Sequence, residues 1–171
     1  MKTVVCPGSF DPVTNGHLDI IRRASGLFDR VIVLVAYNLE KQGVFPPEER
    51  CRMLQKVVSN DPALSNVTVE MWSGLLVDFL QKSQASAIVK GLRAVSDFEY
   101  EFQMALTNNK LLPGCETLFF TPSADNMYLS SKIVRQVCSL GGDITDFVPG
   151  CVLGDIRHKL YSERSCHDGN H

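Results

Sequence analysis

A short loop near the amino terminus combines residue types that bind phosphate. It reads Pro-Gly-Ser-Phe-Asp-Pro over residues 7–12 and reaches Gly16 and His17 soon afterwards. Gly8 lets a phosphate approach the backbone closely, and Ser9 offers both a hydroxyl and an amide. His17 falls in the first turn of the helix that follows, at the positive end of the helix dipole, where anions collect. The spacing therefore predicts a phosphate site in which His17 is a donor.

This loop differs from the two common phosphate loops. It has neither the G-x-G-x-x-G spacing of dinucleotide folds nor the G-x-x-x-x-G-K-[ST] spacing of P-loops. A simpler interpretation is that Gly8 and Pro12 shape a turn, Thr14 or Asn15 caps the helix, and His17 is solvated. The length and order of the motif, directly between a strand and a helix, favour the functional interpretation.

A second group of charged residues follows the fourth predicted strand. Lys90 and Arg93 flank Gly91 and Leu92, and Glu101 follows in a helical pattern. Two cations around a glycine at the end of a strand can hold separate phosphates. Taken alone, the segment also suits a solvated basic turn before a surface helix.

These motifs need a scaffold that brings the ends of several strands together. Apolar runs typical of strands buried on both faces lie at residues 3–6, 31–37, 67–72, 87–89 and 117–120. Helical patterns between and after them lie at residues 20–28, 51–58, 75–82, 95–111, 131–140 and 152–161. The alternation predicts an α/β fold, a single-domain, doubly wound, Rossmann-like fold with a five-stranded parallel sheet. Ligands bind such sheets beyond the carboxyl ends of the strands, where the strand order reverses.

The composition bounds the function further. We expect one domain over residues 1–161 and a mobile tail over residues 162–171, since the tail has no apolar periodicity. A formal net charge of -2 does not favour binding to the negatively charged backbone of nucleic acid. A small-molecule substrate is therefore favoured. No apolar run reaches membrane-spanning length. The six cysteines form no C-x-x-C pair, and the chain opens into a strand pattern, so we expect buried thiols and a cytoplasmic location.

Together the two motifs resemble those of nucleotidylyltransferases. Residues 14–17 are similar to the (T/H)-x-G-H signature of that superfamily, and residues 90–101 are similar to the bacterial phosphopantetheine adenylyltransferase family. Relatives that adenylylate nicotinamide mononucleotide, or transfer cytidylyl groups, share the first signature but are not expected to carry the second. The resemblance runs over residues 3–149, nearly the whole chain.

The resemblance implies an activity and a set of site residues. The activity is transfer of the adenylyl group of ATP to 4'-phosphopantetheine, giving dephospho-coenzyme A and pyrophosphate. Implied contacts to the acceptor are Ser9, Lys41, Leu76 and Lys90. Implied contacts to ATP are Ser9, Phe10, His17, Gly91, Leu92, Arg93, Glu101, Asn126, Met127, Tyr128, Leu129, Ser130, Ser131 and Lys132.

Three of these residues are implied to act in catalysis. His17 stabilises charge on the α-phosphate, Lys41 orients the acceptor phosphate, and Arg93 holds the leaving phosphates. Two positions depart from the family pattern. Ser9 replaces a threonine and keeps its hydroxyl, whereas Lys132 stands where many relatives have a serine.

The expected cofactor and partners also follow from the resemblance. Magnesium enters bound to the ATP phosphates, and no protein metal ligands are expected because the sequence offers no compact cluster of them. The resemblance implies a homohexamer and feedback inhibition by coenzyme A. Two alternatives stay open, a nicotinamide mononucleotide adenylyltransferase and a non-enzymatic nucleotide sensor. A relative of class I aminoacyl-tRNA synthetases is discounted, because the chain is short for an added tRNA-reading domain and too acidic to bind the nucleic-acid backbone.

Overall fold

The computed structural model describes residues 2–38, 40, 42–93 and 95–167, without the side chains of residues 95–96 and 162–167. Its five strands are β1 (Thr3–Gly8), β2 (Arg30–Ala36), β3 (Val67–Trp72), β4 (Ala87–Gly91) and β5 (Glu116–Phe120). They form one parallel sheet in the order β3-β2-β1-β4-β5. The predicted five-stranded parallel sheet and α/β fold class are therefore confirmed.

Six α-helices cover the two faces of the sheet. They are α1 (Asn15–Ser25), α2 (Pro47–Ser59), α3 (Leu76–Ser83), α4 (Val95–Leu111), α5 (Ser131–Ser139) and α6 (Leu153–His167). Helix α6 continues beyond residue 161, where the sequence pattern placed its end. Residues 155–167 contain neither glycine nor proline, so no residue there interrupts the helix even though the apolar periodicity has stopped. Residues 168–171 of the expected tail lie outside the described residues.

The strands at the centre of the sheet have two apolar faces because each face meets a separate hydrophobic core. One core joins β1 and β2 to α1, α2, α5 and α6 through residues such as Val33, Leu54 and Ile156. The other joins the opposite face to α3, through residues such as Ile32 and Phe79. Continuous apolar runs, rather than alternating ones, are the sequence pattern that this arrangement requires.

The order of the strands reverses beside β1. The chain passes from β1 to β2 and β3 on one side, and then crosses to β4 and β5 on the other. The loops that follow β1 and β4 therefore leave the sheet on either side of a crevice, as expected for a ligand site in this architecture.

Side chains at the starts of two helices fix where the loops end. The Thr14 hydroxyl caps α1 by accepting from the His17 amide, and the Ser130 hydroxyl caps α5 by accepting from the Ile133 amide. The Thr14 cap was one of the two alternatives that the sequence suggested for α1. The helices therefore begin directly beyond the ends of the sheet.

The described cysteines are free thiols. Cys6, Cys51, Cys115 and Cys138 are buried and Cys151 is half-buried, as the sequence pattern predicted for small apolar residues, while the side chain of Cys166 lies outside the described residues. Within the described part of the chain, no helix is long and apolar enough to cross a membrane.

Replacing Leu54 tests the core between α2 and the sheet. Leu54 is fully buried, so Leu54→Ala leaves a cavity and should lower the free energy of unfolding by about 2–5 kcal/mol. Leu27→Ala is the matched control, because Leu27 is 70% exposed and its loss should change stability by less than about 0.5 kcal/mol. Chemical denaturation of both variants measures the difference; equal destabilisation would contradict the assigned core.

Candidate active site

A cavity of about 220 Å³ opens beyond the carboxyl ends of β1 and β4. Of the residues implied by the family resemblance, it brings together Ser9, Phe10, His17, Lys90, Gly91, Arg93, Glu101 and Leu129. These residues come from the loop after β1, the start of α1, the end of β4 and the loop after it, helix α4 and the segment before α5. The cavity therefore joins the two motifs at the reversal of strand order.

A second cavity, of about 530 Å³, adjoins the first. The two share five lining residues, Pro7, Gly8, Ser9, Lys90 and Glu101, so the polar side chains of Ser9, Lys90 and Glu101 stand at their boundary. The second cavity extends to Leu76 at the start of α3 and to residues of α4 such as Met104. A ligand with a phosphate at one end and an apolar arm at the other fits this pair of cavities.

The position and tautomer of His17 follow from the cap of α1. The Thr14 amide donates to Nδ1 of His17 over 3.0 Å, while the His17 amide donates to the Thr14 hydroxyl over 3.2 Å. Because Nδ1 accepts a hydrogen bond, the neutral imidazole carries its proton on Nε2. The Phe10 ring packs against the imidazole edge-to-face, with 5.0 Å between ring centroids. His17 therefore presents Nε2–H as a fixed donor.

Burial holds this imidazole neutral. Burial first, and then the positive charges of Arg93 and Lys90, lower the pKa of His17 from 6.5 to about 4. An imidazolium beside two other cations would be unfavourable until an anion arrives. In the ligand-free protein near neutral pH, His17 is thus a hydrogen-bond donor without a charge.

The two cations of the second motif are held by different partners. Lys90 forms an ion pair with Glu101 at 3.0 Å, and both side chains are largely buried. Arg93 donates to the Leu129 carbonyl oxygen over 2.7 Å and pairs with Asp97 at 3.3 Å. The Arg93 contact ties the loop after β4 to the segment before α5, so that both segments border the same cavity.

The stretch from Asn126 to Lys132 is only partly assembled at the cavity. Leu129 lines it, Ser130 caps α5, and the Ser131 hydroxyl donates to the Pro12 carbonyl oxygen over 2.7 Å. The remaining members lie elsewhere: Asn126 lines a separate surface groove, while Met127, Tyr128 and Lys132 are exposed.

One further implied residue, Leu92, is not at the cavity wall. The Leu92 amide donates to the Phe120 carbonyl oxygen over 2.8 Å and holds the end of β4 against β5, but its side chain is not in the lining. Lys41 lies outside the described residues, so its role stays a prediction.

Sequence reasoning missed a group of residues beneath the loop after β1, here called the Asp11 cluster. It consists of Asp11, Gly43, Arg50 and Arg135, which meet around the base of the loop that carries Ser9. Asp11 was recognised as part of the motif but given no role. Arg50 lies at the start of an amphipathic helix, and its 5% exposure could not be read from the helical pattern.

Comparison with known proteins identifies the family. A Clostridium botulinum (strain 657 / Type Ba4) protein named phosphopantetheine adenylyltransferase is 51% identical over 166 residues, covering 97% of this chain and 99% of the relative. This chain belongs to the phosphopantetheine adenylyltransferase family. Another relative with that name, from Clostridium botulinum (strain Eklund 17B / Type B), is 53% identical over 156 residues, covering 91% of this chain and 96% of its own.

Broader comparisons concern the wider family and the fold. The model of the cytidylyltransferase-like family matches residues 5–137. A solved structure described as a putative nicotinate-nucleotide adenylyltransferase from Vibrio parahaemolyticus has a TM-score of 0.67 at 18% identity, covering 95% of this chain and 97% of its own. A nicotinic acid mononucleotide adenylyltransferase from Plasmodium falciparum, complexed with NaAD, has a TM-score of 0.65, also at 18% identity, covering 95% of this chain and 98% of its own. These two likenesses concern the nucleotidylyltransferase fold alone. The predicted recognition and fold are confirmed.

The depressed pKa of His17 can be measured directly. In the ligand-free protein, nuclear magnetic resonance of the His17 ring should show a neutral Nε2–H tautomer that protonates with a midpoint near pH 4. The unfolded chain, with an ordinary histidine pKa near 6.5, binds the proton more readily, so His17 should lower stability as pH falls from about 6.5 to 4. A midpoint near 6.5, or an Nδ1–H tautomer, would contradict the assigned environment.

Proposed function

We propose that the protein is a phosphopantetheine adenylyltransferase, which transfers the adenylyl group of ATP to 4'-phosphopantetheine and releases pyrophosphate, in the biosynthesis of coenzyme A. The observation that carries the proposal is the pair of adjoining cavities. One holds a neutral histidine donor and two cations, and the other leads away from their boundary toward Leu76. Phosphates fit the first cavity and a pantetheine arm fits the second. The family membership of the chain supports the same assignment.

The reaction is a direct displacement at phosphorus. An oxygen of the acceptor 4'-phosphate attacks the α-phosphorus of ATP and forms a new phosphoanhydride bond. The bond between the α-phosphorus and the bridging oxygen to the β-phosphate breaks, and pyrophosphate leaves with that electron pair. No protein nucleophile is required, so the protein contributes position and charge stabilisation.

Each cavity residue then has a role that its surroundings support. His17 donates Nε2–H to an α-phosphate oxygen as negative charge grows there, and its low pKa means that the ring is neutral and carries its single proton on Nε2. Arg93 holds the leaving phosphates with a planar fork that its bond to the Leu129 carbonyl oxygen orients in advance.

Lys90 stands at the boundary of the two cavities and offsets repulsion between the acceptor phosphate and ATP. Its partner Glu101 neutralises it in the ligand-free protein, and phosphate competes with that carboxylate for the ammonium. Lys41 is proposed to act on the same acceptor phosphate. Ser9, at the boundary, contacts both substrates.

Magnesium is proposed to accompany ATP. The described residues contain no group of three or more histidine, cysteine, aspartate or glutamate side chains placed to hold a metal. The cavity carboxylate Glu101 is paired with Lys90, which suits an ion carried mainly by phosphate oxygens. When bound, magnesium offsets the charge of the phosphates.

Assembly and location complete the proposal. We propose a homohexamer, and an exposed apolar stripe along α4 supports self-association, with Phe98, Phe102 and Leu106 spaced on one helical face. Feedback inhibition by coenzyme A and a cytoplasmic location are also proposed. The stretch from residue 126 to residue 132 is proposed to contact ATP, with Lys132 contributing charge to its phosphates.

Product analysis tests the function itself. Purified protein incubated with ATP, magnesium and 4'-phosphopantetheine should form dephospho-coenzyme A and one equivalent of pyrophosphate, detected by mass spectrometry and a coupled assay. Nicotinamide mononucleotide is the control acceptor and should give turnover at least about 100-fold lower, because that acceptor lacks an arm for the Leu76 cavity. Faster turnover with nicotinamide mononucleotide would overturn the acceptor assignment, and binding of ATP without pyrophosphate release would favour a nucleotide sensor.

Replacing His17 tests its role in the transition state. His17→Ala should fold and bind ATP but lower kcat by about 100-fold or more, the scale expected for loss of one donor to the developing charge. His158→Ala is the control, since His158 lies on α6 in a different surface groove and its variant should keep normal kcat. Steady-state kinetics of the two variants makes the comparison. A near-normal kcat for His17→Ala would remove His17 from the mechanism.

A further inference from the structure

Three segments of the chain meet at the Asp11 cluster. The Asp11 carboxylate accepts from the Val44 amide over 3.0 Å and from the Phe45 amide over 2.8 Å. Arg135, on α5, donates to the Asp11 carbonyl oxygen. The loop after β1, the segment after β2 and helix α5 are thus bound to one residue, and the family resemblance implies substrate contacts in or beside all three.

Arg50 also connects the loop after β1 to the segment after β2. Its guanidinium donates to the Phe45 carbonyl oxygen over 2.6 Å and to the Ser9 carbonyl oxygen over 3.3 Å, and it lies 3.4 Å from the Asp11 carboxylate. Asp11 is 8% exposed and Arg50 is 5% exposed. A buried ion pair of this kind is costly to break and is satisfied here by hydrogen bonds on both sides.

The absence of a side chain at Gly43 leaves space for the Arg50 guanidinium. A Cβ atom at Gly43 would lie 1.7 Å from Arg50 Nη2 and 2.9 Å from Asp11 Oδ2, so a larger residue there must displace the guanidinium. Phe10, between Ser9 and Asp11, has a φ of 48°, which a residue with a Cβ adopts only when its surroundings impose it. Arg50 contacts the Ser9 carbonyl oxygen and the Asp11 carboxylate, so it holds the residue before Phe10 and the residue after it.

We propose that Asp11 and Arg50 are positioning residues for adenylyl transfer. Their ion pair fixes the backbone of Ser9 and Phe10 against the segment at residues 43–45, and so sets the position of the Ser9 hydroxyl and the Phe10 ring at the cavity. The inference rests on the proposed function. It assigns to residues outside the cavity lining the task of aligning the two substrates for in-line attack.

The planar fork of arginine is essential to this role. One guanidinium reaches two carbonyl oxygens and a carboxylate, whereas a lysine ammonium at the same place keeps the charge without the fixed geometry. Misplacement of reacting groups by about 1 Å can cost on the order of 100-fold in rate. The role therefore predicts a loss of kcat that charge alone does not restore.

The experiment compares Arg50→Lys and Gly43→Ala with two matched controls. Arg50→Lys removes the fork, and Gly43→Ala displaces it without changing either charged residue. The controls are Arg52→Lys, at an exposed position on the same helix, and Gly154→Ala, where a Cβ meets no atom within 4 Å. Steady-state constants for ATP and phosphopantetheine are measured well below each unfolding midpoint.

Both test variants should lower kcat by about 10- to 100-fold while each KM stays within about threefold of wild type, and both controls should match wild type. Adding Gly43→Ala to Arg50→Lys should lower kcat little further, because both changes disturb the same contact. If either variant unfolds, the other decides the question.

A folded Arg50→Lys or Gly43→Ala protein with kcat within about threefold of wild type would overturn the proposal, as would a loss confined to KM. Wild-type turnover distinguishes failure of the proposed function from failure of the positioning role. A wild-type protein that makes no dephospho-coenzyme A overturns the proposed function, whereas normal wild-type turnover with unaffected variants overturns only the positioning role.

Discussion

The reversal of strand order beside β1 is the constraint on which the site depends. Parallel strands all present their carboxyl ends at one edge of the sheet, and the crossover from β3 to β4 places β4 on the free side of β1. The loops after β1 and β4 therefore face each other across a crevice. The Ser-Phe motif of one loop and the Lys-Gly-Leu-Arg motif of the other are brought together although 79 residues separate them.

Within this crevice the protein arranges positive charge around a neutral donor. Lys90 and Arg93 are both paired with carboxylates, and His17 is held uncharged with Nε2–H available. A ligand-free site built this way avoids uncompensated repulsion among its own cations. When phosphates enter, they can replace the carboxylate of Glu101 at Lys90, so binding exchanges one anionic partner for another instead of ordering a solvated lysine.

Hydrogen bonds to the backbone supply most of the rigidity of the site. Thr14 fixes the ring of His17, Leu129 fixes Arg93, and the Asp11 cluster fixes the carbonyl of Ser9. The backbone groups in these contacts belong to Thr14, Leu129 and Ser9, each of which lies close to the end of a helix or strand. The chemistry that we propose depends on position and not on a nucleophile, and a site held through backbone contacts suits that demand.

Local patterns in the sequence determined the secondary structure and much of the site. Apolar runs of strand length, helix caps at Thr14 and Ser130, and the two motifs depend on residues close together in the chain, and their types alone constrain what they form. The strands were consequently predicted to within about two residues at each end, and most of the motif residues proved to border one cavity. The end of α6 was predicted wrongly because a helix can continue without an apolar pattern.

Tertiary structure alone decided how the site residues are held. The contact from Arg50 to Ser9 spans 41 residues, that from Arg93 to Leu129 spans 36, and that from Ser131 to Pro12 spans 119. Nothing in the local pattern around Arg50 distinguishes it from an exposed helical arginine such as Arg52. Only packing of α2 against the sheet removes Arg50 from water. The buried guanidinium then needs hydrogen-bond acceptors, and the fold supplies them from other segments of the chain.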